Sequence, residues 1–106
     1  MKLSDYGVKG IECHAEVTGG KSLNEAARAI CADVVHEADN GCDWLSKRVA
    51  SALRGDNGFV IDIEFPTQSE ITERVVAEAL KSEAEDRIHT QYRDWTNERE
   101  GLMVTF

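Results

Sequence analysis

The sequence predicts an α+β fold: a small, mostly antiparallel sheet of two or three strands, with three helices packed on one face and the last helix long. Three observations predict it. Apolar residues alternate singly with polar ones in two short stretches, recur every three or four positions in three longer ones, and the longer stretches are bounded by residues suited to helix ends. The chain has 106 residues, a single proline, eight glycines and a hydrophobic fraction of 42%. That is enough apolar material for one domain spanning 1–106, and no internal repeat or linker divides it.

The first alternating stretch places Ile11, Cys13, Ala15 and Val17 on one side and Glu12, His14 and Glu16 on the other, as in a half-buried strand. Thr18-Gly19-Gly20-Lys21 breaks it. Ser22-Leu23-Asn24-Glu25 then has the form of a capping box, and Leu23, Ala27, Ile30, Val34 and Ala38 follow at helical spacing, which predicts a helix over 22–39. Asn40-Gly41 tolerates the left-handed turn that ends it. Asp43 is placed to cap a second helix, with Leu45, Val49, Ala52 and Leu53 inward and Lys47, Arg48 and Arg54 on the polar side and last turn.

Gly55-Asp56-Asn57-Gly58 closes this helix, and Phe59–Phe65 follows as the clearest strand and the expected centre of the core, with Ile61 and Ile63 fully buried. Pro66 is unfit for a central ladder, and Thr67-Gln68-Ser69-Glu70 is a second capping box. Ile71, Val75, Ala79, Leu80, Ala84, Ile88, Tyr92 and Trp95 then predict one amphipathic helix to about residue 97, about 40 Å long at 1.5 Å per residue. Gly101 ends it, and Leu102-Met103-Val104-Thr105-Phe106 is placed for a final edge strand.

Several function classes are disfavoured at this level. No run approaches the roughly 20 apolar residues of a membrane span, and Met1-Lys2-Leu3-Ser4-Asp5-Tyr6-Gly7 lacks the apolar stretch of a secretion signal, so a cytoplasmic location is expected. Cys13, Cys31 and Cys42 are too few and too irregular for a disulfide framework and are expected as reduced thiols. Cys31, His36 and Cys42 raise the question of zinc or of an activated nucleophile. No C-x-x-C or H-x-x-x-H pattern accompanies them, and Cys31 follows Ile30 on the apolar side of a helix, where a thiol behaves as a small hydrophobe. A catalytic Cys31 would need His36 within hydrogen-bond reach. Cys13 and His14 point to opposite faces of a strand, and His89 stands four residues after Glu85, the spacing of a helical ion pair. Phosphate-cradling loops, serine elbows and kinase signatures are absent from the sequence. The expectation is a protein without metal, cofactor or catalysis.

Charge is the more informative signal. Twelve Lys and Arg against 20 Asp and Glu give a net charge of −8, which opposes direct binding of nucleic acid. The excess is uneven: residues 1–54 carry eight acids and seven bases, a net of −1, whereas residues 55–100 carry twelve acids and five bases, a net of −7. Asp62 and Glu64 lie on the polar side of the strand, and Glu70, Glu73, Glu78, Glu83, Glu85 and Asp86 line the long helix. Such a helix is about as long as one turn of duplex DNA, roughly 34 Å, so its carboxylates are candidates to occupy a basic nucleic-acid cleft. A plainer reading competes, because Glu70 with Arg74 and Glu83 with Arg87 have the spacing of ordinary surface ion pairs.

Residues 37–95 carry a family resemblance. Glu37-Ala38-Asp39-Asn40, an amphipathic helix, Val60-Ile61-Asp62-Ile63-Glu64-Phe65 and a long acidic helix ending in Arg93-Asp94-Trp95 together resemble the Ocr anti-restriction proteins of phages. Residues 1–36 and 96–106 have no counterpart in that pattern. The resemblance implies a phage or mobile-element inhibitor that mimics DNA phosphates to block type I restriction enzymes, and small acidic anti-CRISPR proteins share these features. It carries Asp62, Glu64 and the helix carboxylates over as phosphate surrogates and implies a basic nucleic-acid-handling protein as partner. The alternative is an adaptor that forms a homodimer through the long helix, with Tyr92, Trp95 and Trp44 as interface aromatics.

Overall fold

Three helices form in the computed structural model, which describes residues 1–8, 11, 14–17, 21–56, 67–91 and 102–105. They are α1 over Lys21–Asn40, α2 over Asp43–Arg54 and α3 over Gln68–Gln91. Their ends follow from local chemistry. Gly41 takes φ 103°, a conformation that residues with a Cβ avoid, and its N–H donates to the Glu37 carbonyl at 2.9 Å, which stops α1. The N-cap of α2 is Cys42, in extended conformation, one residue before the expected Asp43. Asp43 becomes the first helical residue instead, where its charge meets the positive end of the helix dipole. Gly55 closes α2 at φ 76°, with the N–H groups of Gly55 and Asp56 bonded to the carbonyls of Ala52 and Ser51.

At the start of α3, Thr67 Oγ1 accepts the Glu70 N–H at 3.2 Å, as the capping-box pattern predicts. Thr67→Ala should therefore lower stability by about 1 kcal/mol in thermal unfolding. No change in Tm would show that another group satisfies the Glu70 amide.

The core is helix against helix. α3 packs on both α1 and α2, which make few direct contacts with each other. It buries Val75, Val76, Ala79, Leu80, Ala84 and Ile88 against Ala27, Ile30, Cys31, Val34 and Ala38 of α1 and Leu45, Val49 and Ala52 of α2. The 3-10 turn Leu3–Tyr6 adds Leu3 and leads into Val8, both buried.

This arrangement overturns the α+β expectation. At 100° per residue the buried positions of α3 sweep about 220° of its circumference, too broad for a helix laid by one stripe on a sheet and suited to one wedged between two other helices. Val76, absent from the expected apolar set, is fully buried inside that arc. The only strand pairing among the described residues is a two-stranded antiparallel ribbon, His14–Val17 with Leu102–Thr105, in which His14 stands opposite Thr105. Among the described residues the architecture is thus mainly helical, and the ribbon, whose first strand packs on α1, is no sheet layer on which three helices lie. The expected central strand Phe59–Phe65, with Ile61 and Ile63, lies outside the described residues, as does the extension of the long helix through Tyr92 and Trp95.

Candidate functional site

α3 brings six of the eight candidate carboxylates onto one helix but does not present them alike. Glu70 and Glu73, in its first two turns, are exposed. Glu78 and Glu85 are half-buried, and Glu83 keeps only 14% of its side chain exposed. Asp86 is 64% exposed and bound to Arg48. Asp62 and Glu64 lie outside the described residues. The uniform acidic face expected from spacing is therefore divided into an open N-terminal part and a C-terminal part engaged within the molecule.

That engagement is a clasp joining all three helices. Arg87 on α3 grips Glu37 on α1 with two parallel bonds, Nη1 to Oε2 at 2.5 Å and Nη2 to Oε1 at 2.9 Å. Its Nε donates to Glu83 Oε1 at 3.0 Å, one turn back along α3. Glu83 offers its other oxygen, Oε2, to Arg48 Nε of α2 at 2.9 Å, and Arg48 Nη2 reaches Asp86 Oδ2 at 2.5 Å. Trp44 completes the group: its Nε1–H donates to Glu37 Oε1 at 3.1 Å, and its ring lies 5.7 Å from the Arg87 guanidinium carbon. Planar guanidinium forks suit this work, because each serves two carboxylates at fixed angles.

Electrostatics follow the geometry. The Arg87 guanidinium, helped by the Trp44 indole, holds the Glu37 carboxyl at about 2 against the opposing effect of burial. Glu37 in turn raises the pKa of Arg87. Burial pushes the Cys42 thiol up, away from the thiolate form that nucleophilic chemistry requires. Cys31 is fully buried in the core, whereas His36 is exposed and bonds to Asn40, so the two do not form a catalytic pair. Among the described residues, no group of three His, Cys, Asp or Glu side chains is placed to hold a metal ion. No helix among them is long and apolar enough to cross a membrane.

The clasp was hidden from local sequence reasoning. Only the Glu83–Arg87 pair has a helical spacing, while Arg48 meets Glu83 across 35 positions and Arg87 meets Glu37 across 50. The apolar face of α3, which the dimerising reading needs open, is covered by α1 and α2, and the exposed large apolar side chains among the described residues are Met1 and Leu53. No protein-family model, curated protein or solved structure matches the chain.

Proposed function

We propose that this protein is a non-catalytic acidic inhibitor that binds a basic nucleic-acid-handling protein, of restriction or CRISPR type, by presenting carboxylates where that protein expects phosphates. One observation carries the reading: the charge left facing water is predominantly negative. Arg48 and Arg87 are spent inside the clasp. The exposed acids among the described residues are Asp5, Glu25, Asp33, Asp39, Asp43, Asp56, Glu70, Glu73 and Asp86, against the exposed bases Lys2, Arg28, Lys47, Arg54 and Arg74. With Asp86 set aside because it is bound to Arg48, eight against five leaves a net of −3 on that surface, consistent in sign with the −8 of the whole chain. The resemblance to the Ocr anti-restriction proteins points the same way.

The clasp narrows the proposed contact surface. Glu83 and Asp86 already neutralise arginines of their own chain, so Glu70 and Glu73, with Asp62 and Glu64 shortly before them in sequence, are the carboxylates assigned to the partner. Exposed charges of this kind act mainly by steering association.

The test is capture of partners from a bacterial lysate at low and at physiological salt, followed by association kinetics with the protein identified. A basic nucleic-acid-binding protein should be retained at low salt and released as salt rises, because exposed pairs are screened over about 8 to 10 Å. Reversing Asp62, Glu64, Glu70 and Glu73 to Lys should slow association by about tenfold or more, with matched reversals at Glu12 and Glu25 mattering much less. Retention indifferent to salt and to the four reversals would rule the reading out.

A further inference from the structure

We infer that the clasp of Glu37, Arg48, Glu83, Asp86 and Arg87 sets the register of α3 against α1 and α2. The apolar core does not set it alone. Among the described residues, five of the sixteen buried apolar side chains are alanines, whose shallow ridges offer a neighbouring helix weak resistance to sliding. Consider α3 moved by one turn, so that each residue takes the place of the one four positions ahead. Ile71, Thr72, Val75, Val76, Leu80 and Ala84 would then fill the places of Val75, Val76, Ala79, Leu80, Ala84 and Ile88. The two sets contain the same residue types except for one Thr in place of one Ala. Pooled side-chain volume is nearly kept, but Leu80 would enter the place of Ala84 and Ala84 that of Ile88, so packing resists the shift at single sites and the clasp adds to that resistance.

Charge discriminates further. In the shifted register Glu83 would take the place of Arg87 and face Glu37, while Ala79 and Ser82 would stand where Glu83 and Asp86 now meet Arg48. Like charges would oppose each other, and Arg48 would lose both carboxylates. The slide in the other direction fails for the same reason. Arg87 would then face Arg48, and Glu83 would enter the buried place of Ala79. The side chains that close the native register therefore disfavour both of its neighbours, a register role of the kind attested for polar and charged side chains between helices.

The test moves the charge pattern and asks whether the helix follows. Spin labels are placed at the exposed positions Lys47 on α2 and Gln91 on α3, in a chain with Cys13→Ser, Cys31→Ala and Cys42→Ser. The labelled parent should give one distance. Ala79→Glu, Ser82→Asp, Glu83→Arg, Asp86→Ser and Arg87→Gln together rewrite the clasp one turn earlier, and this variant should give one distance changed by up to about 5 Å, one helical turn. A second variant, Glu37→Leu, Arg48→Met, Glu83→Leu and Arg87→Met, removes the charges and should remain helical while populating both distances. If the rewritten variant keeps the parent distance, the inference fails. Should that variant not unfold cooperatively, the apolar variant decides: two distances support the inference and the parent distance alone overturns it.

Discussion

Leu80→Ala should lower the stability of folding by about 3 to 5 kcal/mol, the largest effect expected from any single truncation in the core. Leu80 is fully buried near the middle of α3, on the helix shared by both partners. Truncation removes the transfer free energy of the lost carbons and leaves a cavity that α1 and α2 cannot both close, since each is already held close to α3 by small residues such as Ala27, Ala38 and Ala52. For a chain of 106 residues the total stability is of the order of 5 to 15 kcal/mol, so this one change removes a large part of it. Chemical denaturation of parent and variant measures the difference. A loss below about 1 kcal/mol would mean that α3 does not occupy the centre of the fold.

Arg87→Met is expected to cost about 2 kcal/mol at neutral pH and to change how stability depends on acid. It removes the fork on Glu37 and the bond to Glu83, and leaves Glu37 with the Trp44 indole alone. The loss stays at this size because Glu37 and Arg87 keep 40% and 27% of their side chains exposed, so water screens the pair. The sign of the acid effect follows from linkage. Glu37 is held at about 2 in the folded protein against an ordinary 4.5, so its contribution is fully present above about pH 4.5 and is lost as pH falls toward 2. Removing Arg87 removes the main cause of the depression, so the gap between parent and variant should narrow across that interval. A gap that stayed constant from pH 7 to pH 2 would show that Arg87 stabilises by packing over Trp44 and not by charge.

The helices were legible in the sequence because the signals that make them are local. The 22–39 pattern became Lys21–Asn40, Gly41 and Gly55 took left-handed conformations at the ends of α1 and α2, and Thr67 capped α3. The layer arrangement was not legible. Alternation over a few residues, as at Ile11–Val17, describes extended backbone and carries no statement of how many strands will join it. The width of the apolar arc on α3, about 220° between Val75 and Ile88, was the available sign that this helix had two helical neighbours. Six of the proposed carboxylates were correctly placed on α3, but their division into exposed and engaged groups depends on Arg48 and Glu37, whose distance along the chain no periodicity encodes.

The central place of α3 has a consequence for synthesis. Chains emerge from the ribosome N-terminus first, at about 5 to 20 residues per second. α1 and α2 appear before the helix that covers both of them, and they make little contact with each other. For some seconds the nascent chain must carry the apolar stripes of Ile30, Val34, Leu45 and Val49 without α3, the helix that packs on both α1 and α2. Folding is therefore expected only after α3 has left the exit tunnel, and a ribosome stalled before residue 68 should display a chain that chaperones bind and proteases cut.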